Sequence, residues 1–262
     1  MSSLRPYTTR LGVGLGAIEE TRILLEIWQP GMTLTALYQR ALDSGSLPNV
    51  SARRLSNLVK ELFAMRYLVK GDYPASVLKE MLPFLSYSEW CQLLFIFTCR
   101  VHAVLADYII EEYWPRYAAG HTTIDNDDAR EFILRAIEQG KTARSWSPKT
   151  IQNVAGYVTG CCADFGLLEP GQRRVRRIIP FRLESRVAAF LAYDLHFAGY
   201  NDNALIMHRD WLLFGMDDIE VRELLKSLAL KRFVIIQSAA DITRISWNYK
   251  EWGELIHAIA QG

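Results

Sequence analysis

Apolar residues recur at three- and four-residue steps along most of this chain, which is the spacing of helices with one buried face. Between Ser147 and Leu183 the pattern changes. Ser147 is a good N-cap and Pro148 suits the first helical turn. The apolar face that follows consists of Ile151, Val154, Ala155, Val158 and Cys162. A turn at Glu169–Gln172 then leads into Arg173–Ile179, whose β-branched residues favour a strand. The pattern predicts a helix followed by a basic hairpin, which is the second half of a winged helix.

A helix followed by a short extended stretch is also predicted at both ends of the chain. Near the N-terminus, three short helices, the last capped by Ser51, precede a short wing at Tyr67–Val69. Near the C-terminus, a helix from Asp217 to Leu230 precedes the strands Phe233–Ile236 and Ile242–Trp247. We expect a mainly α protein with two or three winged-helix-like modules, each a helix plus a short β-hairpin, around a long buried helix. The expected domains are an N-terminal helix-turn-helix-like module at 1–75, buried linking helices at 76–125, a winged-helix module with a basic wing at 126–184, and a C-terminal winged-helix-like module at 185–262.

The most apolar stretch, Ser88 to Tyr117, raises the question of a membrane span. A span needs about 20 consecutive apolar residues, but the uncharged run that starts at Trp90 ends at Arg100. The ionisable residues that follow are His102, Asp107, Glu111 and Glu112. Charges at bilayer depth would cost a few kcal/mol each. We therefore expect one long buried helix and no membrane association. Because the first ten residues also lack the apolar core of a signal peptide, the expected location is the cytoplasm.

Charge is distributed unevenly along the chain, although the formal net charge is only +1. Residues 71–140 carry 5 basic against 11 acidic residues, whereas residues 141–186 carry 9 against 3. A segment this basic favours contact with a polyanion. Arginines can also serve only to keep an edge strand solvated. Lysine or glutamate would do this equally well, so four arginines with no interleaved acid favour phosphate contact.

The candidate DNA-binding residues fall into three groups. Groups that can hydrogen-bond a base edge or a phosphate lie on the outward face of the Pro148 helix: Lys149, Gln152, Asn153 and Tyr157. The wing and the chain after it supply Arg173, Arg174, Arg176, Arg177 and Arg182. The third helix of the N-terminal module exposes Arg53, Arg54 and Lys60.

Two further patterns refine the Pro148 helix and its wing. Strand alternation predicts that Val175, Ile179 and Phe181 face inward and that Arg174, Arg176 and Arg182 face outward. On the helix, Gly156 and Gly160 lie on the outward face, and each costs about 1 kcal/mol relative to alanine. These glycines indicate that a nucleic-acid backbone or another helix approaches that face closely.

Residue patterns typical of catalytic or metal sites are missing from the sequence. The four cysteines form no C-x-x-C pair and no histidine lies at ligand spacing, so neither a zinc site nor a disulfide framework is predicted. Gly12, Gly14 and Gly16 do not follow a predicted strand and lack the spacing of a phosphate-binding loop. We expect no cofactor, no metal and no small-molecule ligand, and a binding protein in place of an enzyme.

Three stretches of the chain resemble the BrxA family, a small component of the BREX phage-defence systems of bacteria. They are the glycine-rich lead followed by Glu19–Arg22, the unit from Asn49 to Leu68, and Trp146–Lys149, which precedes the arginine-rich hairpin. The resemblance covers essentially the whole chain. It implies a cytoplasmic, non-enzymatic, mostly helical protein that binds double-stranded DNA. It also implies partners among the other BREX proteins, which include a methyltransferase, an ATPase and a phosphatase-like component.

The sequence leaves two classes of function open. In the first, the chain is a duplex-DNA-binding accessory protein that places the Pro148 helix in or near the major groove and Arg173–Arg177 on phosphates. In the second, it is an assembly adaptor or an RNA-binding scaffold, whose modules hold protein partners and whose basic hairpin meets an acidic partner or structured RNA. The salt dependence of binding to duplex DNA, compared with duplex RNA and single strands, separates the two classes.

Overall fold

The computed structural model describes residues 6–69, 71–171, 174–239 and 242–261. Within these residues the chain is mainly helical, and its strands form two antiparallel pairs. The structure therefore confirms the mainly α fold that the sequence predicts. The chain divides into two compact units. The first comprises Met1–Lys79 and Leu94–Phe181, and the second comprises Glu80–Leu93 and Arg182–Gly262.

The elements from the N-terminus to residue 177 belong mostly to the first unit. The helices are α1 (Ile18–Ile27), α2 (Leu34–Ser44), α3 (Ala52–Asn57), α4 (Ala64–Tyr67), α5 (Tyr73–Met81), α6 (Tyr87–Val101), α7 (Ala103–Tyr108), α8 (Trp114–Ala118), α9 (Asn126–Glu138) and α10 (Pro148–Asp164). The π-helical stretches Leu58–Phe63 and Ile109–Tyr113 join α3 to α4 and α7 to α8, and 3-10 turns form at Arg10–Val13 and Leu82–Phe84. The strands are β1 (Thr123–Asp125) and β2 (Val175–Arg177).

Side-chain caps account for where several of these helices begin. Thr33, Ser51 and Ser147 each accept a hydrogen bond from the backbone N–H three residues further on, at 3.2, 3.3 and 3.2 Å. Asp125 caps α9 in a reciprocal capping box with Asp128. Each such cap contributes about 1 kcal/mol to stability. The predicted start of the Pro148 helix is confirmed.

The wing predicted at Tyr67–Val69 is not formed. Tyr67 is the last residue of α4 and is fully buried, and the chain enters α5 at Tyr73. The Tyr67 ring packs against the rings of Phe63 and Phe97, with centroids 5.5 and 6.2 Å away. The strand prediction is wrong because Tyr67 extends the buried face of the preceding helix. Lys70, which the sequence predicts to follow this wing, lies outside the described residues.

Lys79 ties α5 to the C-terminal end of α1. Its Nζ donates to the carbonyl oxygens of Leu25, Glu26 and Trp28 at 2.7, 2.9 and 2.6 Å. The last carbonyls of a helix lack intrahelical donors, and a lysine ammonium supplies three. Lys79 therefore caps α1 from a helix that is distant in sequence.

The apolar stretch from Ser88 to Tyr117 forms two helices and not the one long helix that the sequence predicts. The backbone leaves the helical region at His102, with φ −109° and ψ 88°. Helix Tyr87–Val101 and the helical run Ala103–Ala118 are bent by 111° at this point. Residues on both sides of the break are almost all buried. A sequence that is apolar on every side carries no periodic signal to mark a bend.

No single helix in the part of the chain that the structure describes is long and apolar enough to cross a membrane. The bent pair around His102 passes the same test by length and composition only.

The second strand pair and the remaining helices belong to the second unit. They are α11 (Ser185–Phe197), α12 (Asp202–Ile206), α13 (Arg209–Leu212), α14 (Asp218–Leu230), β3 (Val234–Ala239), β4 (Ile242–Trp247) and α15 (Trp252–Gln261). Val234 lies opposite Trp247, and Ala239 lies opposite Ile242. The structure confirms the helix and hairpin predicted near the C-terminus.

Tyr193 joins α11 to both ends of this hairpin. Its hydroxyl donates to the Phe233 carbonyl at 2.6 Å and accepts from the N–H groups of Asn248 and Tyr249 at 3.1 and 3.2 Å. Its ring packs edge-on against Trp247, with the centroids 4.7 Å apart. One side chain thus satisfies three backbone groups at the base of the hairpin.

The first prediction concerns this hydroxyl. Tyr193→Phe removes the partner of three backbone groups, and leaving buried groups without a partner costs about 1–3 kcal/mol. We expect urea unfolding to show a loss of this size. Tyr200→Phe, at an exposed tyrosine, should stay within about 0.5 kcal/mol of the unmodified protein. Equal stabilities for the two variants would contradict the role assigned to Tyr193.

The second prediction concerns His102, which is 5% exposed. Burial, aided by the positive charges of Arg66 and Arg10, lowers the pKa of His102 to about 3. The unfolded chain titrates near 6.5 and so binds a proton that the folded chain does not. The resulting stability is complete above pH 6.5 and is lost as the pH falls towards 3.

On this basis protonation of His102 should contribute about 2 kcal/mol to the loss of unfolding free energy between pH 7.5 and pH 5. His102→Gln should remove this contribution from a series of urea titrations at fixed pH. His121→Gln, at an exposed histidine, serves as the control and should keep it. A His102→Gln profile that follows that of the unmodified protein would show that another group causes the acid loss.

Candidate nucleic-acid interface

Helix α10 carries the first group of candidate residues. Its five predicted inward residues are all buried. Lys149 and Gln152, on the first two turns, are exposed, and Asn153 is half-buried. In the second half of the helix a larger part of the circumference is buried, and it includes Thr159 and Gly160. Only the first half of α10 therefore has the open polar face that the sequence predicts.

The glycine-rich segment, Gly12–Gly16, covers the other half of that face. A Cβ on Gly12 would lie 2.4 Å from the Tyr157 ring, so the ring packs directly on this backbone. A Cβ on Gly160 would lie 3.2 Å from Cδ1 of Leu15. The close approach that Gly160 indicates is thus made by the chain itself. Tyr157 is half-buried in this contact, which removes it from the open part of the helix.

Arg66 and Asp164 hold the end of the glycine-rich segment from opposite sides. Arg66 is 1% exposed, and its guanidinium donates to the carbonyls of Leu15 and Gly16 at 2.7 and 3.5 Å. Asp164 Oδ2 accepts from the Gly16 N–H at 3.0 Å. Leu15 and Ala17 have φ of 52° and 43°, which side chains disfavour. These hydrogen bonds therefore hold a strained backbone.

The basic strand β2 has two pairing partners that the sequence does not reveal. On one side it pairs with β1, a strand that the sequence pattern does not predict, with Ile124 opposite Arg176. On the other side Leu168 forms an antiparallel bridge with Ile178. The spatial order is Leu168, β2, β1. We call residues 169–174, which connect the Leu168 bridge to β2, the wing loop.

This pairing turns Arg176 inward, opposite to the prediction from strand alternation. Arg176 is 8% exposed, like Ile124 and Ile178 on the same side of the strands, whereas Val175 is 50% exposed. Arg176 Nη1 donates to the carbonyl of Glu169 at 3.1 Å. The prediction that Arg176 faces outward to contact phosphate is wrong, because the pairing with β1 reverses the inward and outward positions.

Opposite charges act on one another around this arginine. Burial raises the pKa of the Asp164 carboxyl, while the Gly16 N–H and the positive charges of Arg176 and Arg66 oppose that rise. The charge of Arg176 thus acts on a carboxylate of α10, and its side chain lies away from solvent.

Arg174 and Arg177 are the wing arginines that face outward among the described residues, although the predicted strand alternation gives Arg177 the inward parity. Arg177 is exposed, and the Arg174 side chain is 73% exposed while it forms an ion pair with Asp127. Arg173 lies outside the described residues. Arg182 is exposed but belongs to the second unit.

Arg130 is a further cation near the wing that the sequence pattern does not single out. Its Nη1 lies 3.9 Å from Asp127 Oδ1, and its side chain is 57% exposed. The sequence shows only that Arg130 lies on α9. Its proximity to Arg174 depends on the pairing of β1 with β2, for which the sequence carries no local signal.

The third group lies on the helix that begins at Ala52. Arg53 and Lys60 are exposed, and Arg54 is exposed with its Nη2 3.6 Å from Glu20 Oε1. The same helix contacts the glycine-rich segment, since a Cβ on Gly14 would lie 2.4 Å from Leu62 Cδ1. The glycine-rich segment therefore packs against both the helix of this third group and α10.

The third prediction tests this packing through two glycines. Gly12→Ala forces the Tyr157 ring to move and should destabilise the protein by about 1–3 kcal/mol. Gly156→Ala, with nothing within 4 Å of the new Cβ, should stabilise α10 by about 0.5–1 kcal/mol. Thermal unfolding measures both changes. The cost of Gly12→Ala should shrink in a Tyr157→Val background, and an undiminished cost would contradict the contact.

Comparison with known proteins gives one family and a fold likeness. The BrxA family model matches residues 5–194 of this chain. No curated protein shows a significant match. The crystal structure of an uncharacterized protein from Magnetospirillum magneticum matches with a TM-score of 0.57 at 16% identity, covering 73% of this chain and 95% of that one. At this identity the likeness concerns the fold alone.

Proposed function

We propose that this chain, which belongs to the BrxA family and is a component of a BREX phage-defence system, binds double-stranded DNA there without catalysing a reaction. The observation that carries the proposal is a set of exposed cations on the first unit. The set consists of Lys149 on α10, Arg174 and Arg177 at the wing, and Arg53 and Lys60 on the N-terminal module. Exposed cations of this kind neutralise phosphates and release counterions.

The order of elements around α10 supports a winged-helix interpretation. Strand β1 precedes α9 and α10, the wing loop follows, and β2 returns to pair with β1. In a helix-turn-helix the second helix lies in the major groove and reads bases with its N-terminal residues. We interpret α10 as this helix.

The covered half of α10 limits how DNA can bind. Because the glycine-rich segment occupies the second half, only the first two turns can approach base edges. Gln152 is exposed there and can form a bidentate pair with adenine. Asn153 has the same chemistry but is half-buried. Lys149, Arg174 and Arg177 would position the helix through phosphates, which carry no sequence information.

A different surface on the second unit favours a protein partner. The first turn of α14 carries Asp218 and Glu220 after the Asp217 cap, and it exposes Ile219 to 65%. Acidic residues at the start of the helix would repel phosphates, whereas an exposed apolar side chain beside them suits a protein surface. We therefore propose that the second unit contacts another BREX protein while the first unit holds DNA.

The fourth prediction tests the DNA interface through its salt dependence. Each phosphate contact adds about 0.9 to the slope of log affinity against log salt for duplex DNA. Arg174→Gln with Arg177→Gln should therefore reduce that slope by roughly 2 and weaken binding about equally on unrelated sequences. Gln152→Ala should leave the slope nearly unchanged and flatten any preference among sequences.

Two controls separate this function from its alternatives. Arg176→Gln removes a buried arginine and should lower stability more than it changes the salt slope. Titrations with duplex RNA and single-stranded DNA of the same sequence distinguish a duplex-DNA protein from an RNA scaffold. If the Arg174 and Arg177 variant keeps its affinity for duplex DNA but loses a BREX partner in a pull-down, the adaptor function replaces DNA binding.

A further inference from the structure

The carboxylate of Asp127 contacts two exposed arginines beside the wing. It forms an ion pair with Arg174, and its Oδ1 is 3.9 Å from Arg130 Nη1. The carboxylate is 46% exposed, and the side chains of Arg174 and Arg130 are 73% and 57% exposed. Two solvent-exposed guanidinium groups thus share one anion, as they would share a backbone phosphate.

Backbone contacts keep Arg174 close to this carboxylate. The N–H of Asn126 donates to the carbonyl of Arg174 at 3.1 Å, next to the pair of Asp125 with Val175 in the strands. Asn126 Oδ1 accepts from Thr159 Oγ1 of α10 at 2.6 Å. Asn126 therefore connects the start of α9 to both the wing and α10. Because Asp127 is the next residue, these bonds also fix its position relative to the wing.

Asp127 is not needed to begin α9. The capping box of this helix uses the side chains of Asp125 and Asp128. Asp127 contributes its N–H, which donates to Asp125 Oδ1 at 2.7 Å, and an asparagine would keep that bond. Its side chain is thus available for the two arginines.

The strength of the Asp127 contact suits competition with DNA. Exposed ion pairs contribute little to stability and are easily exchanged. A phosphate that takes over Arg174 must first displace Asp127, and the displaced carboxylate then repels the same phosphate. Both effects oppose binding irrespective of the base sequence.

We infer that Asp127 competes with the DNA backbone for Arg174 and Arg130, and so limits the affinity of this chain for duplex DNA of any sequence. The inference rests on the proposed function. Asp127 is a positioning residue in this scheme, because it acts on DNA through the arginines that it holds.

The test is the affinity and salt slope of Asp127→Asn on two unrelated duplexes. Freeing the arginines should tighten binding about two- to fivefold near 0.1 M salt, which corresponds to the value of an exposed ion pair. The slope of log affinity against log salt should stay nearly unchanged, because Arg174 contacts a phosphate in both chains and Asp127 only opposes that contact. Thermal unfolding of the variant establishes that the fold is retained.

Matched variants isolate the effect. Glu138→Gln makes the same change in net charge at an exposed position at the far end of α9 and should leave the affinity for both duplexes nearly unchanged. Asp127→Glu keeps the carboxylate and should bind like the unmodified chain. In an Arg174→Gln background the tighter binding of Asp127→Asn should largely vanish, because the main cation that it frees is gone.

The outcomes separate this inference from the proposed function. If Asp127→Asn binds no tighter than Glu138→Gln while the Arg174 and Arg177 variant still loses affinity, the inference is wrong and DNA binding at the wing stands. An increase in affinity that persists undiminished in the Arg174→Gln background also overturns it. If the unmodified chain does not bind duplex DNA, both fail together.

Discussion

The buried guanidinium of Arg66 is the contact on which the arrangement of the first unit depends. It satisfies the carbonyls of Leu15 and Gly16, and Asp164 accepts the Gly16 N–H from α10. Removing the guanidinium would leave these carbonyls without their donor, and a buried group without a partner costs about 1–3 kcal/mol. The glycine-rich segment therefore stays between the helix that carries Arg66 and α10. Because this segment contacts both the N-terminal module and α10, the exposed cations on these two parts lie in the same unit.

Two arginines of the wing, only two residues apart, have opposite environments. Arg176 is buried near Asp164, whereas Arg174 lies in solvent and shares Asp127 with Arg130. The exposed pair contributes little to folding and can be exchanged for a phosphate. The buried arginine cannot reach a phosphate without leaving the Glu169 carbonyl to which it donates. Burial, and not the number of arginines, thus decides which of them solvent or a binding partner can reach.

The two units present different surfaces on related local architecture. Each has a helix followed by strands, but exposed cations surround α10 and its wing, whereas α14 begins with acidic residues and exposes Ile219. Function depends on such surfaces and not on the fold that carries them. This difference supports assigning DNA to the first unit and a protein partner to the second.

The helices whose signals are local follow from the amino-acid order alone. Ser147 with Pro148 marks the start of α10, Asp217 marks that of α14, and the apolar face of α10 is buried as predicted. The bend at His102, the inward position of Arg176 and the cover over Tyr157 emerge only in the folded chain. Caps and helical periodicity depend on neighbours within four residues, which the sequence displays directly. Strand pairing, helix bends and covered faces depend on contacts between residues far apart in the chain, and a single sequence carries no local record of them.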